Sequence, residues 1–180
     1  MSLLDDRSRE QRDGATIPPE IQALIDRAAI QDVLMLYFSA ADAGDRLAVR
    51  QCFTEDVRAQ YESRPEVRGV DALLEQIVLL GNLASGVCRV STHFAGNLRF
   101  KELRREWAET ELNAFACLVD QSGTTVAIRS LRYLDRLRKE DGEWKVAARL
   151  HTLDWAMAVP CTFARPFAEK LTSWHGLQMG

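Results

Sequence analysis

Apolar positions in the first half of the chain recur at helical spacing. From Glu20 onward, Ile30, Val33, Leu34, Tyr37, Phe38 and Ala41 follow the i, i+3, i+4 rule and lie on one face, and Gly44 is placed to stop the helix. Pro18 and Pro19 precede it, where a first helical turn accepts proline. A second, short helix is expected from an Asp45 N-cap to about Phe53. A third is expected from about Val70 to Leu83, carried by Leu73, Leu74, Ile77, Val78 and Leu80.

The texture changes after Gly86. Four stretches rich in β-branched and aromatic residues, about Val87 to Leu103, Trp107 to Val119, Thr124 to Leu137 and Trp144 to Leu153, read as strands. Asp120-Gln121-Ser122-Gly123 and Lys139-Glu140-Asp141-Gly142 supply turn chemistry between neighbours, so the strands should form antiparallel hairpins. Helices first and a meander afterwards make an α+β fold. Three helices on one strongly bent antiparallel sheet would enclose a cone-shaped barrel whose open end is a pocket, and chemistry is expected there. The domain is expected to run over residues 20–160, preceded by a flexible arm (1–19) and followed by an extension (161–180) in which Phe163 to Trp174 reads as a short helix or an arm.

Composition narrows the classes. At 180 residues, 47% hydrophobic and 27% charged, the chain is expected to be one globular domain. A net charge of −3 gives no basic excess for phosphates or anionic lipid, so nucleic acid is not an expected partner. The longest clean apolar run, Val33 to Phe38, is too short to span a bilayer, and the acidic start MSLLDDRSRE shows no secretory signal; no membrane partner and a cytoplasmic location are expected. Cys52, Cys88, Cys117 and Cys161 include no CxxC pair and read as reduced, mostly buried thiols.

Several chemistries lack their motif: GxSxG, a P-loop, GxGxxG after a strand, and HExxH are all missing. A three-histidine metal site would need every histidine, His93, His151 and His175, and the pair His151 and Asp154 should project to opposite faces of a strand. Neither a metal nor an organic cofactor is therefore expected.

A polar set embedded in apolar segments remains. Asp42 lies one helical turn beyond Phe38 and two beyond Leu34, at the margin of the buried stripe, with Tyr37 beside it; His93 sits in the strand Val90-Ser91-Thr92-His93-Phe94-Ala95, on the face opposite Thr92 and Phe94. A carboxylate reaching such a histidine would fix its tautomer and leave the other ring nitrogen as a base poised near neutral pH. Spacing alone favours the plainer reading, with Asp42 a helix-end or turn residue, His93 a satisfied core histidine and Tyr37 core.

These residues resemble a known family. Asp26-Arg27-Ala28-Ala29-Ile30-Gln31-Asp32, Tyr37, Asp42-Ala43-Gly44-Asp45, Cys52-Phe53-Thr54-Glu55-Asp56, Ser91-Thr92-His93 with Gly96-Asn97, and Tyr133 through Asp141-Gly142-Glu143-Trp144-Lys145-Val146 to Arg149 are similar, in order and spacing, to the SnoaL-like branch of the NTF2-like superfamily. That branch includes scytalone dehydratase, bile acid 7α-dehydratase and hexachlorocyclohexane dehydrochlorinase. The resemblance implies a cofactor-free lyase in which Asp42 and His93 are the catalytic dyad, Tyr37 polarises or protonates the substrate, and Arg149 is a pocket arginine.

The expected substrate is a mid-sized, apolar, cyclic or aromatic small molecule walled by Leu34 and Phe38. The expected reaction is dehydration, with retro-aldol cleavage open to the same base. The alternatives are a non-catalytic ligand binder or scaffold, and an isomerase, cyclase or epoxide hydrolase of the same superfamily. The resemblance also implies a homo-oligomer, trimer or dimer, with Phe163, Phe167 and Trp174 as an extra contact.

Overall fold

The structure, a computed structural model, describes residues 17–161. Residues 1–16 of the expected arm (1–19) and the segment carrying Phe163, Phe167, Trp174 and His175 lie outside the described residues. Helix α1 (Pro19–Ala43) starts at a proline that needs no amide partner and ends where Gly44, at φ 71°, turns its N–H back to the carbonyls of Ala40 and Ala41. Asp45 then caps α2 (Arg46–Gln51) by accepting the Ala48 amide.

Three features depart from the sequence expectation. The residues after α2 form a strand, β1 (Phe53–Tyr61), in which exposed Glu55, Asp56 and Arg58 mask the alternation, and a short β2 (Val67–Arg68) pairs with it. The third helix is two, α3 (Val70–Gln76) and α4 (Val78–Ala84), because Ile77 takes ψ 83° between them. The sheet is mixed and open rather than wholly antiparallel: β1 runs parallel to the last strand in the order β2-β1-β6-β5-β4-β3.

The four long strands are β3 (Cys88–Leu103), β4 (Trp107–Asp120), β5 (Thr125–Glu140) and β6 (Glu143–Pro160), the last running well beyond Leu153. The two expected turns close their hairpins; Asp141 and Gly142, at φ 51° and 87°, supply the left-handed pair that a tight turn requires. Register shifts in β3 and β6 mark bulges, which bend long strands.

Ile30, Leu34 and Phe38 of α1 join Leu112, Leu131, Leu137 and Val146 of the sheet in one core. Asp26 pins the start of α1 to the β5–β6 hairpin, accepting from Lys139 Nζ at 2.7 Å and Trp144 Nε1 at 2.9 Å. Burial raises the Asp26 pKa, but the hydrogen bonds from Lys139, Trp144 and Gln22 outweigh it and hold the carboxyl below its ordinary value. On the opposite face of the sheet Phe94, Phe115, Trp155 and Met157 are exposed. No helix among the described residues is long and apolar enough to cross a membrane.

Candidate active site

The strand period decides which side chains meet α1. Along β3, Ser91, His93 and Ala95 face the helix layer while Thr92 and Phe94 face away, and Phe94 is 78% exposed. The last turn of α1 carries Asp42 to the same place. There its Oδ1 accepts from Ser91 Oγ at 2.5 Å and faces His93 Nδ1 at 2.6 Å, and its Oδ2 accepts the His93 backbone N–H at 2.7 Å. Both side chains are almost fully covered, at 6% and 7% exposure.

Burial opposes the Asp42 charge, yet the hydrogen bonds from His93 and Ser91 hold the carboxyl below its ordinary value. An ionised carboxylate only accepts, so Nδ1 of His93 carries the proton and, in the neutral ring, Nε2 has the lone pair. Phe38 lies against the imidazole at 5.4 Å between ring centroids and limits how the ring turns.

His93 lines a cavity of about 200 Å³ together with Tyr37, Tyr61, Tyr133, His151, Arg129 and Glu62, and with apolar Ala41, Ile77, Leu118 and Leu131. Two cross-sheet rows build its floor. In one, His93, Ala116 and Arg129 are register neighbours on β3, β4 and β5, so only a methyl group separates the histidine from the Arg129–Glu62 ion pair. In the other, His151 of β6 lies between Tyr133 on β5 and Tyr61 on β1.

Tyr37 is 3% exposed and its hydroxyl is 3.1 Å from that of Tyr61. Burial, with the neighbouring Tyr61 and Tyr133, pushes its pKa well above the ordinary value despite nearby Arg149, so the phenol keeps its proton.

Three residues expected to line the pocket are placed elsewhere. Leu34 is core, since the helix turns it toward the sheet below the cavity, and it lines no part of the cavity. The Arg149 guanidinium lies on the same strand face as His151, two residues away, but it is withdrawn into the protein. It donates from Nε and Nη2 to Asp135 at 2.8 and 2.7 Å and stacks 4.1 Å from the Tyr37 ring centre. Desolvation works against its charge, and Asp135 more than compensates. Phe38 backs the histidine rather than the cavity.

His151, considered above only as a metal ligand with the other histidines or with Asp154, is a further residue of the cavity. The two do diverge: Asp154 meets Arg132 at 3.3 Å on the outer side. The useful signal was its two-residue spacing from Arg149 in a strand. Among the described residues, no group of three or more His, Cys, Asp or Glu is arranged to hold a metal ion. All four cysteines are free, but only Cys52 and Cys88 are buried; Cys117 and Cys161 are half-exposed. Burial pushes the Cys52 thiol up to about 11, so it is no nucleophile.

The SnoaL-like domain family matches residues 22–150. A candidate scytalone dehydratase from Novosphingobium aromaticivorans DSM 12444 superposes with a TM-score of 0.70 at 19% identity, covering 84% of this chain and 99% of that one. The type 3 hexachlorocyclohexane dehydrochlorinase from Novosphingobium barchaimii LL02 gives 0.67 at 17% identity, covering 84% and 99%. A protein of unknown function from Mycobacterium tuberculosis gives 0.65 at 26% identity, covering 77% and 78%. No curated protein shows a significant match to the sequence.

Proposed function

The chain belongs to the SnoaL-like domain family, and from that premise we propose that it is a lyase that eliminates water from a small ring compound by general acid–base catalysis. The observation that carries this reading is the Asp42–His93 pair beside a cavity, with the carboxylate fixing Nδ1 and leaving Nε2 for the substrate. His93 takes the proton from the carbon next to a carbonyl; the C–H electrons form the new C=C bond as the neighbouring C–O bond breaks. The imidazolium, stabilised by Asp42, returns the proton to the departing hydroxyl, which leaves as water. The cycle closes with no net change in the protein. Tyr37, protonated and lining the cavity, would donate to substrate oxygen.

The cavity, at about 200 Å³, lies below the usual ~300–1,000 Å³ of small-molecule sites, which favours a single ring. A suitable probe is 3-hydroxycyclohexanone, whose dehydration to 2-cyclohexenone is followed by the absorbance of the enone. Wild-type protein should accelerate it, and His93→Ala should lose at least about a hundredfold while melting near wild type. Equal rates for wild type and a folded His93→Ala would overturn the reading.

A further inference from the structure

His151 is a buried polar side chain with no assigned task. It is 5% exposed, it lines the same cavity as His93, and its Nδ1 has no hydrogen-bond partner among the described residues. A buried polar atom without a partner is rare in folded proteins and needs a reason. Tyr61 stacks on the ring at 4.8 Å with planes 20° apart, and Tyr133 meets it edge-on at 4.8 Å. The backbone is held as well, because the His151 carbonyl accepts the Glu62 amide at 2.7 Å. The ring is therefore gripped by its faces, with no carboxylate behind it to set the tautomer.

We propose that His151 recognises the substrate carbonyl, donating a hydrogen bond from its neutral imidazole to the oxygen of an uncharged ketone bound beside His93. The proposal rests on reading the cavity as a substrate site. A neutral ring suits an uncharged acceptor, and the surroundings keep it neutral. Burial first, then Arg149, Arg129 and His93, lower its pKa to about 3, and Tyr133, packed edge-on against it, brings no negative charge because burial keeps its phenol protonated. His151 thus stays uncharged when His93 gains a proton during turnover. A hydrogen bond at the carbonyl strengthens as enolate character develops beside it, so the contact would serve the rate as well as the choice of substrate.

The test uses two inert ligands of nearly one shape, acetophenone and α-methylstyrene, in which C=CH2 replaces C=O. Dissociation constants for both are measured by calorimetric or NMR titration on wild type, His151→Phe and His93→Ala. Phe preserves the stacking on Tyr61 and removes both nitrogens. If His151 reads the carbonyl, His151→Phe weakens acetophenone at least about tenfold relative to α-methylstyrene, whose own affinity stays within about threefold. In 15N-histidine spectra of wild type, the His151 ring signals move with acetophenone and not with the hydrocarbon.

A purely structural His151 predicts instead a relative affinity unchanged within about twofold in a variant that still folds. That outcome overturns the proposal, as does failure of the wild type to bind acetophenone at millimolar concentration. His93→Ala keeps the ketone preference whether or not it abolishes elimination, so the carbonyl contact and the catalytic base fail separately.

Discussion

Two histidines face one cavity, and what lies beside each makes them different groups. His93 has the Asp42 carboxylate on Nδ1, which fixes the tautomer and makes a positive ring affordable. His151 has the buried Arg149 cation on the same strand face and an Nδ1 without a partner among the described residues, which makes a positive ring costly. Nothing in the imidazole itself distinguishes them. A negative neighbour prepares a base and a positive neighbour prepares a neutral contact, so a site residue's role follows from its surroundings as much as from its type.

The contrast breaks most severely at its supports. Arg149→Met leaves Asp135 buried without its cation, and a buried pair broken on one side costs roughly 3–5 kcal/mol, read from urea unfolding. The same substitution should move the His151 pKa from about 3 back toward its ordinary value, read by histidine NMR titration. A variant as stable as wild type would mean that the ion pair contributes nothing.

Next in size is the other support. Asp42→Asn places an amide where a carboxylate accepts, so its NH2 can donate to Nδ1, favour the wrong tautomer and leave the imidazolium unsupported. A loss of about a hundredfold in elimination rate, roughly 2.7 kcal/mol, is expected. Adding His93→Ala should worsen it little, because the two act as a unit; multiplicative losses would argue for separate roles.

His151→Phe should change the response to acid. The wild-type ring binds its proton at about pH 3 when folded but near pH 6.5 when unfolded, so the unfolded chain holds more protons between those values. Stability is then full above pH 6.5 and falls as pH is lowered toward 3, by up to about 1.4 kcal/mol per pH unit from this group. Removing the ring should flatten that part of the urea-unfolding profile measured from pH 7 down to pH 4. An unchanged slope would show that His151 is not held neutral. Smallest of all, Tyr37→Phe removes one hydroxyl contact with Tyr61, worth about 1 kcal/mol of stability, and should slow elimination by no more than about tenfold if it only assists.

The long helix, the meander and its turns were legible because their signals are local. Helical spacing from Ile30 to Ala41, the Gly44 stop, the Asp45 cap and the two turn sequences each act over a few residues. Strand β1 was not, because its outward Glu55, Asp56 and Arg58 look like loop composition and its partner β6 is about ninety residues away. The order and spacing of Asp42, Ser91 and His93 pointed to a family. That Asp42 reaches Nδ1 depends on where α1 docks on β3, and docking is set by the whole core.

By itself the sequence determined the long helix, the four long strands, the turns and which residues share a strand face, since these follow from backbone geometry and side-chain shape over short range. Tertiary structure alone decided that Arg149 turns to Asp135 instead of the cavity, that Leu34 is core, and that His151 stands between two tyrosines. The reason is that partners distant in the chain, and the desolvation that accompanies burial, set the charge and hydrogen bonding of each site group.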